Sequence, residues 1–299
     1  MHYSISDLEK LSGVQAHTIR IWEQRYDALK PLRSAGNTRH YEDNQLKRLL
    51  NIVSLKESGM RIAQICALST EQMNAFIQKE MDANSAEHLK FEPFISQLLV
   101  FGLAYNDEKV DSLLSTCMES FGVDLTYQNI IYPLLVRLGL LWQKTSICPA
   151  QEHFMSNLIR QKLFAAINVL PMPMATAKTW LLFLPEDEGH DIGLLYAKYV
   201  LKNNGEKVIY LGSYLPMSSL IEAMQDNRVD HLLFFMVHSR LPSEAQHYIK
   251  ELTKYFPDTE ILLSGNPKLI GDLALPKTVN WFKDIESLEN FIHAYQSTS

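Results

Sequence analysis

The sequence predicts a multidomain α and α/β protein. A small helical module comes first, a helical bundle follows, and a doubly wound parallel sheet closes the chain. Three observations predict this. Residues 1–70 read as short helical segments broken by one polar, basic stretch. Residues 75–170 carry long apolar-periodic runs with few glycines, the pattern of a four-helix bundle. Residues 178–299 alternate β-rich runs with helical patterns, the pattern of a parallel sheet covered by helices. The stretch from Pro171 to Ala177, with two prolines, reads as the linker between the last two domains.

Length and composition set the outer bounds. At ~150 residues per domain, 299 residues make two domains or three small ones. A hydrophobic share of 46% excludes wholesale disorder. The longest apolar runs, such as Leu232 to Val237, fall far short of the ~20 residues that span a bilayer. The first residues show no basic segment followed by an apolar one, so no signal peptide is expected. Cys66, Cys117 and Cys148 are odd in number and widely spaced. They form neither a disulfide framework nor a zinc pattern, and a cytoplasmic location is expected. The formal charge is −6, yet residues 1–70 hold 10 Lys+Arg against 7 Asp+Glu. A basic N-terminal module on an acidic protein suits a sensor brought to nucleic acid.

Within the first module, Ser6 is expected to cap a helix that runs through Leu11 and is broken at Gly13. A second helix is expected from Gln15 to Tyr26. Helix, tight turn and helix form the helix-turn-helix plan, with the second helix offered to the major groove. His17, Arg20, Gln24 and Arg25 make its polar side, and Ile19 and Trp22 can face the core or the phosphate backbone. From Leu32 to Tyr41 a two-stranded wing is expected, with Gly36-Asn37 at its turn and Arg33 and Arg39 on its arms, placed for phosphates. Helices from Asp43 to Ser58 and from Arg61 to Leu68 would complete the core.

The run from Tyr3 to Ile65 resembles the winged helix-turn-helix of MerR-type transcriptional regulators. Tyr3-Ser4-Ile5, Thr18 through Glu23, Arg33, Gly36, Arg39 and Tyr41 carry the resemblance. Trp22, in place of the commoner tyrosine, is similar to the subgroup with large effector domains. The resemblance implies a dimer on double-stranded DNA, reading a near-palindromic operator whose half-sites lie ~34 Å or its multiples apart. The expected DNA-facing residues are His17, Thr18, Arg20, Trp22, Arg25, Arg33, Asn37, Arg39 and Tyr41.

In the C-terminal domain, strands are expected at Trp180–Leu184, Lys207–Leu211, His231–Val237, Glu260–Ser264 and Val279–Phe282. Ligands of such sheets bind outside the carboxyl ends of the strands, where the loop carrying His190 would lie. An imidazole can give one nitrogen to a transition metal while a carboxylate fixes the other, and Glu188 stands two residues earlier. Gly193 removes a side chain where something bulky approaches the helix start. One His and one carboxylate are too few ligands for a structural zinc. The run Glu188-Gly189-His190-Asp191-Ile192-Gly193 resembles the Asp/Glu-x-His-x-x-Gly signature of cobalamin-binding, Rossmann-like domains. There the histidine replaces the corrinoid's dimethylbenzimidazole on cobalt, and the freed tail enters a slot beside the sheet. Ser239-Arg240-Leu241 matches the family's Ser-x-Leu, and Ser264-Gly265 stands where the family has Gly-Gly. Cobalamin, with cobalt on His190, is therefore the implied cofactor. Glu188, His190, Asp191, Gly193, Ser239, Leu241, Ser264 and Gly265 are the implied contacts.

In the middle, Trp142 ends one expected helix, and Pro149 restarts another with Glu152 and His153 in its first turn. The spacing resembles the Trp-x9-Glu-His motif of light-responsive, cobalamin-dependent repressors of the CarH/LitR type. The order of domains is also theirs. The resemblance implies adenosylcobalamin, with Trp142 over its upper face and Glu152 and His153 near the adenosyl group. Some members carry a histidine after the tryptophan that captures cobalt after photolysis. Here Gln143 follows, and glutamine is a poor cobalt ligand.

The expected function is a cytoplasmic transcriptional repressor, a dimer or tetramer whose assembly and DNA binding answer to adenosylcobalamin and, as a photoreceptor, to light. A corrinoid carrier subunit of a methyltransferase or mutase is the alternative from the enzyme side, although a methyl carrier has no use for a winged helix. A regulator whose sensor no longer binds corrinoid is the third reading. No Ser-His-Asp or Cys-His set and no phosphate-binding glycine loop points to catalysis, and no membrane partner is expected.

Overall fold

The computed structural model describes residues 2–33, 38–82, 90–142, 148–225, 227–238 and 240–296, the backbone alone at 140–142 and 293–296. The chain divides into two compact units, residues 1–159 and 160–299. Among the described residues no helix is long and apolar enough to cross a membrane.

The first unit opens with β1 (His2–Tyr3) and α1 (Ile5–Ser12). Ser4, rather than the expected Ser6, caps α1. Its hydroxyl accepts from the Asp7 N–H at 3.2 Å, and the Asp7 carboxylate accepts from the Ser4 N–H at 2.8 Å. This reciprocal pair satisfies two helix-end donors at once, which Ser6, already inside the first turn, cannot do. Gly13 ends the helix at φ 70°, as expected. α2 (Ala16–Tyr26) follows the turn. β2 (Leu32–Arg33) and β3 (Arg39–Glu42) form the wing, with Arg33 opposite Arg39; its Gly36-Asn37 turn lies outside the described residues. The sheet gains a strand that sequence reasoning missed, because β1 pairs with β3 to give the antiparallel order β1-β3-β2. A two-residue strand carries no alternating pattern to read.

α3 (Asp43–Glu57) and α4 (Ile62–Cys66) complete the DNA-binding module, and α5 (Thr70–Asp82) follows. The bundle comprises α6 (Glu92–Leu103), α7 (Asp107–Thr126), a π-helical stretch (Tyr127–Ile131), α8 (Tyr132–Trp142) and α9 (Pro149–Asn168). α3 packs on α6, and α1 on α8. An amide chain, buried at Gln97 and Asn51, crosses the first contact. Gln97 Nε2 donates to Asn51 at 3.0 Å, and Asn51 Nδ2 donates to Asn74 at 3.1 Å. At the second, the Arg137 guanidinium meets Glu92 at 2.8 and 2.6 Å and donates to the Leu11 carbonyl at 3.4 Å. These bonds tie the module to helices α6 and α8 within residues 1–159.

The second unit contains β4 (Thr179–Pro185), α10 (Ile192–Asn203), β5 (Lys207–Leu215), α11 (Met217–Gln225), β6 (His231–Met236), α12 (Pro242–Tyr255), β7 (Glu260–Gly265), α13 (Pro267–Ile270), β8 (Val279–Phe282) and α14 (Ile285–Gln296). All strand pairs are parallel, in the order β5-β4-β6-β7-β8. Leu181 to Leu184 and Leu232 to Phe234 are wholly buried, as the central strands of a parallel sheet covered on both faces must be. From β4 the chain steps to β5 on one side and then to β6 on the other. The crevice at the carboxyl ends of β4 and β6 is therefore the topological switch point, the usual ligand position in such sheets.

Candidate functional site

α2 presents His17, Arg20, Gln24 and Arg25 to solvent, with Thr18 half-buried. Two residues expected at DNA are elsewhere. Trp22 and Tyr41 are buried in the module core with Leu8, Leu11 and Ile19, because a small domain needs its large aromatics as core. The Tyr41 hydroxyl donates to Glu23 at 2.6 Å. The other Glu23 oxygen stands 3.6 Å from Arg39 Nε, so Arg39 is half-buried against α2, whereas Arg33 is exposed. Glu23 thus fixes the wing to the recognition helix. Sequence reasoning gave it no role, since the strand it meets lies 16 residues or more along the chain. Asn37 lies outside the described residues.

At the bundle, Trp142 ends α8 and Pro149 begins α9, as expected. Glu152 accepts from Ser156 Oγ at 2.5 Å, and His153 Nδ1 lies 3.5 Å from the other Glu152 oxygen, its ring largely exposed. The Trp142 side chain and Gln143 lie outside what is described.

The switch-point crevice holds the densest polar cluster. Glu188, fully buried, sits on the β4–α10 loop. One of its oxygens meets His190 Nδ1 at 2.6 Å and the His190 N–H at 3.1 Å. Its other oxygen accepts the N–H groups of Val237 at 2.7 Å and His238 at 2.6 Å, where β6 leads towards α12. Burial alone would raise the Glu188 pKa. The bonds to His190, His238 and Val237 outweigh it and hold the group down at about 2. A carboxylate that stays ionised keeps the imidazole proton on Nδ1, which makes Nε2 the basic nitrogen, the one with a lone pair able to take a metal. The His190 side chain is 46% exposed, so the ring reaches the surface. Its face runs nearly parallel to His238, with centroids 6.4 Å apart.

Other expected contacts are spread around this centre. Asp191 accepts from Arg160 Nε at 2.7 Å, so its carboxylate is engaged by the protein. Gly193 lies in the first turn of α10. Leu241 is exposed, and Ser239 lies outside the described residues. On the neighbouring strand β7, Ser264 Oγ donates to the Phe282 carbonyl at 3.1 Å, which secures β8. Gly265 has φ 135°, and a Cβ there would lie 2.1 Å from the Met236 carbonyl oxygen, so the close approach of β6 and β7 requires glycine. At Gly189 a Cβ would meet the Tyr214 hydroxyl at 2.1 Å, the far end of an exposed side chain that can swing aside. Sequence reasoning missed Tyr214, His238 and the ion pairs of Arg240, whose Nη1 lies 3.0 Å from Asp187. The signal for His238 and Arg240 was their position on either side of Ser239 at a strand's carboxyl end.

The donor set suits cobalt in a corrin. Among the described residues no three His, Cys, Asp or Glu side chains gather as metal ligands. One oriented imidazole fits a metal that brings its equatorial ligands with it. Nearby, Nε and Nη2 of Arg240 are buried and donate no hydrogen bond.

Comparison with known proteins agrees. Residues 3–71 match the MerR HTH family of regulatory proteins, and residues 95–166 match a B12 binding domain. The chain is 26% identical to the HTH-type transcriptional repressor CarH of Myxococcus xanthus, over 91% of this chain and 89% of that protein. It is 27% identical to the repressor CarA of the same organism, over 89% and 87%. A monomethylamine corrinoid protein of Methanosarcina barkeri shares the fold at TM-score 0.51 and 13% identity, covering 69% of this chain and 100% of its own. The chain thus carries a MerR-type HTH module and a B12-binding module, and it is similar to the CarH and CarA repressors along about nine-tenths of its length.

Proposed function

We propose that the protein is a transcriptional repressor whose assembly and DNA affinity are set by adenosylcobalamin, with light as the releasing signal. The observation that carries this reading is the 2.6 Å bond between His190 Nδ1 and buried Glu188, at the switch point of a sheet whose chain begins with a DNA-binding module. His190 would hold cobalt through Nε2. Glu188 keeps the proton on Nδ1, and Val237 and His238 keep Glu188 in place. When bound, adenosylcobalamin supplies a cobalt–carbon bond that visible light breaks. Trp142, Glu152 and His153 are assigned to the adenosyl side, as the resemblance implies, and Gly193, Ser239, Leu241, Ser264 and Gly265 to the lower side. Asp191 acts there through Arg160. Gln143 makes a second protein ligand at that position poor, so the light state is proposed to form without it.

Control of assembly requires the cofactor to bind one oligomeric state more tightly than another. Arg20 and Arg25 would read an operator with two-fold pseudo-symmetry, and Arg33 would take phosphates. The proposed setting is the cytoplasm, and the proposed role is regulatory rather than catalytic. The test is an absorption spectrum of the protein with adenosylcobalamin, in darkness and after green light, together with light scattering and gel shifts in both states. The expected result is a base-off, histidine-bound spectrum that changes on illumination, with altered mass and DNA affinity. His190→Ala should bind weakly or keep the base-on spectrum. A His190→Ala protein with wild-type affinity and spectrum, or equal masses and DNA affinity in both states, overturns the reading.

A further inference from the structure

We infer that Arg240 anchors the phosphodiester of the cofactor's nucleotide tail; this rests on the cobalamin reading and extends it to a residue the signature leaves open. Arg240 lies between β6 and α12, with its side chain only 6% exposed. Nη1 is 3.0 Å from Asp187, and Nη2 is 3.6 Å from Glu188, beyond hydrogen-bond distance. Nε and Nη2 are closed to solvent and donate no hydrogen bond. These two nitrogens share one edge of the guanidinium, the fork that meets two oxygens of a phosphate or carboxylate.

A buried cation with idle donors is an unfavourable arrangement unless an acceptor completes it. The nearby protein groups do not. Asp187 is engaged at Nη1, and both Glu188 oxygens already accept N–H groups from His190, Val237 and His238. A second idle group stands close by. The Tyr248 hydroxyl on α12 is buried without a hydrogen-bond partner. Burial raises its pKa, and the Arg240 charge acts against that rise. Two elements therefore bring unsatisfied polar groups to one corner beside the His190 loop.

The chemistry selects the partner. Around the corrin, the side chains end in neutral amides, each offering a single carbonyl oxygen. The nucleotide tail carries the one anionic group, a phosphodiester with two non-bridging oxygens. A charged, two-donor fork matches that group and is poorly used by an amide. Because both nitrogens are closed to solvent, the Arg240 side chain must move to meet the tail.

The test titrates the full chain, in darkness, with adenosylcobalamin and with adenosylcobinamide, which has the same corrin and upper ligand but no phosphodiester-linked nucleotide. Arg240→Gln and Arg240→Lys are compared with wild type, the lysine keeping the charge beside Asp187 if the glutamine variant folds poorly. Both should weaken adenosylcobalamin by ~10- to 100-fold, the range of a lost charge-assisted hydrogen bond, and leave adenosylcobinamide unchanged. Tyr248→Phe should show the same selectivity with a smaller loss. An equal loss for both ligands in Arg240→Lys, or none for either, overturns the assignment while the cobalamin reading stands. Wild-type protein that binds neither ligand overturns both.

Discussion

Replacing Glu188 by glutamine tests the geometry of the crevice without removing the His190 ring. The carboxylate accepts from His190 Nδ1 and from the N–H groups of His190, Val237 and His238, between 2.6 and 3.1 Å. Its pKa falls from 4.5 to about 2. At ~1.4 kcal/mol per pKa unit, the folded state favours the ionised group by ~3 kcal/mol. The side chain is fully buried, so solvent screening takes little of this away. Glutamine keeps one acceptor but turns an NH2 group towards N–H donors. The expected cost is roughly 3 kcal/mol, concentrated where the β4–α10 loop meets the end of β6.

Hydrogen exchange at pH 7 reads this directly. The Val237 and His238 amides should lose protection by ~100-fold in Glu188→Gln, while amides of β7 and β8 change less. The pH dependence follows from the sign of the shift. A depressed carboxylate pKa contributes fully above the unfolded value of about 4.5 and is lost as pH falls through about 2. Wild type should therefore lose stability faster than Glu188→Gln between these two values. Unchanged Val237 and His238 protection, with identical acid unfolding in the two proteins, would refute the reasoning.

Two further outcomes are expected elsewhere. Arg33→Ala should lower the log–log salt slope of DNA binding by ~0.9, one phosphate contact, whereas Arg39→Ala should change the slope less because Glu23 already engages it; gel shifts across a salt series decide. Gly265→Ala should destabilise the sheet unit by more than ~1 kcal/mol in denaturant unfolding, since φ 135° and the Met236 carbonyl leave no room for a Cβ.

What was legible in the sequence was whatever repeats or lies close along the chain. Buried apolar runs such as Leu181–Leu184 marked the strands to within a few residues, and the larger error was β5, which continues to Leu215. Glu188 and His190 could be paired from their spacing, and the 2.6 Å contact agrees. What was not legible depended on pairings between distant segments. The N–H groups of Val237 and His238 reach Glu188 across 49 and 50 residues. Nothing at either position announces this, because any residue type brings a backbone N–H. Trp22 and Tyr41 illustrate the opposite failure. Their place in a DNA-binding motif suggested contact with DNA, yet an aromatic side chain in so small a module is worth more as core.

The polar contacts between the DNA-binding module and helices α6 and α8 have the same origin, and they bear on how a signal could act. Asn51, Asn74 and Gln97 look like unremarkable helix-surface amides in the sequence. In the structure they form one chain between α3, α5 and α6, buried at Asn51 and Gln97 and reaching the surface at Asn74. Asn51 and Gln97 satisfy each other away from water, so α3 and α6 cannot slide without leaving a buried amide unpaired. Arg137 adds a second tie, since its guanidinium is held by Glu92 and donates to the carbonyl of Leu11 in the first helix. Polar contacts of this kind fix register more strictly than apolar packing, which tolerates small shifts. The recognition helix is therefore attached to the bundle through directional bonds rather than through a loose hinge. A change that moves the bundle carries the DNA-binding surface with it, and control through assembly needs no separate joint between the two.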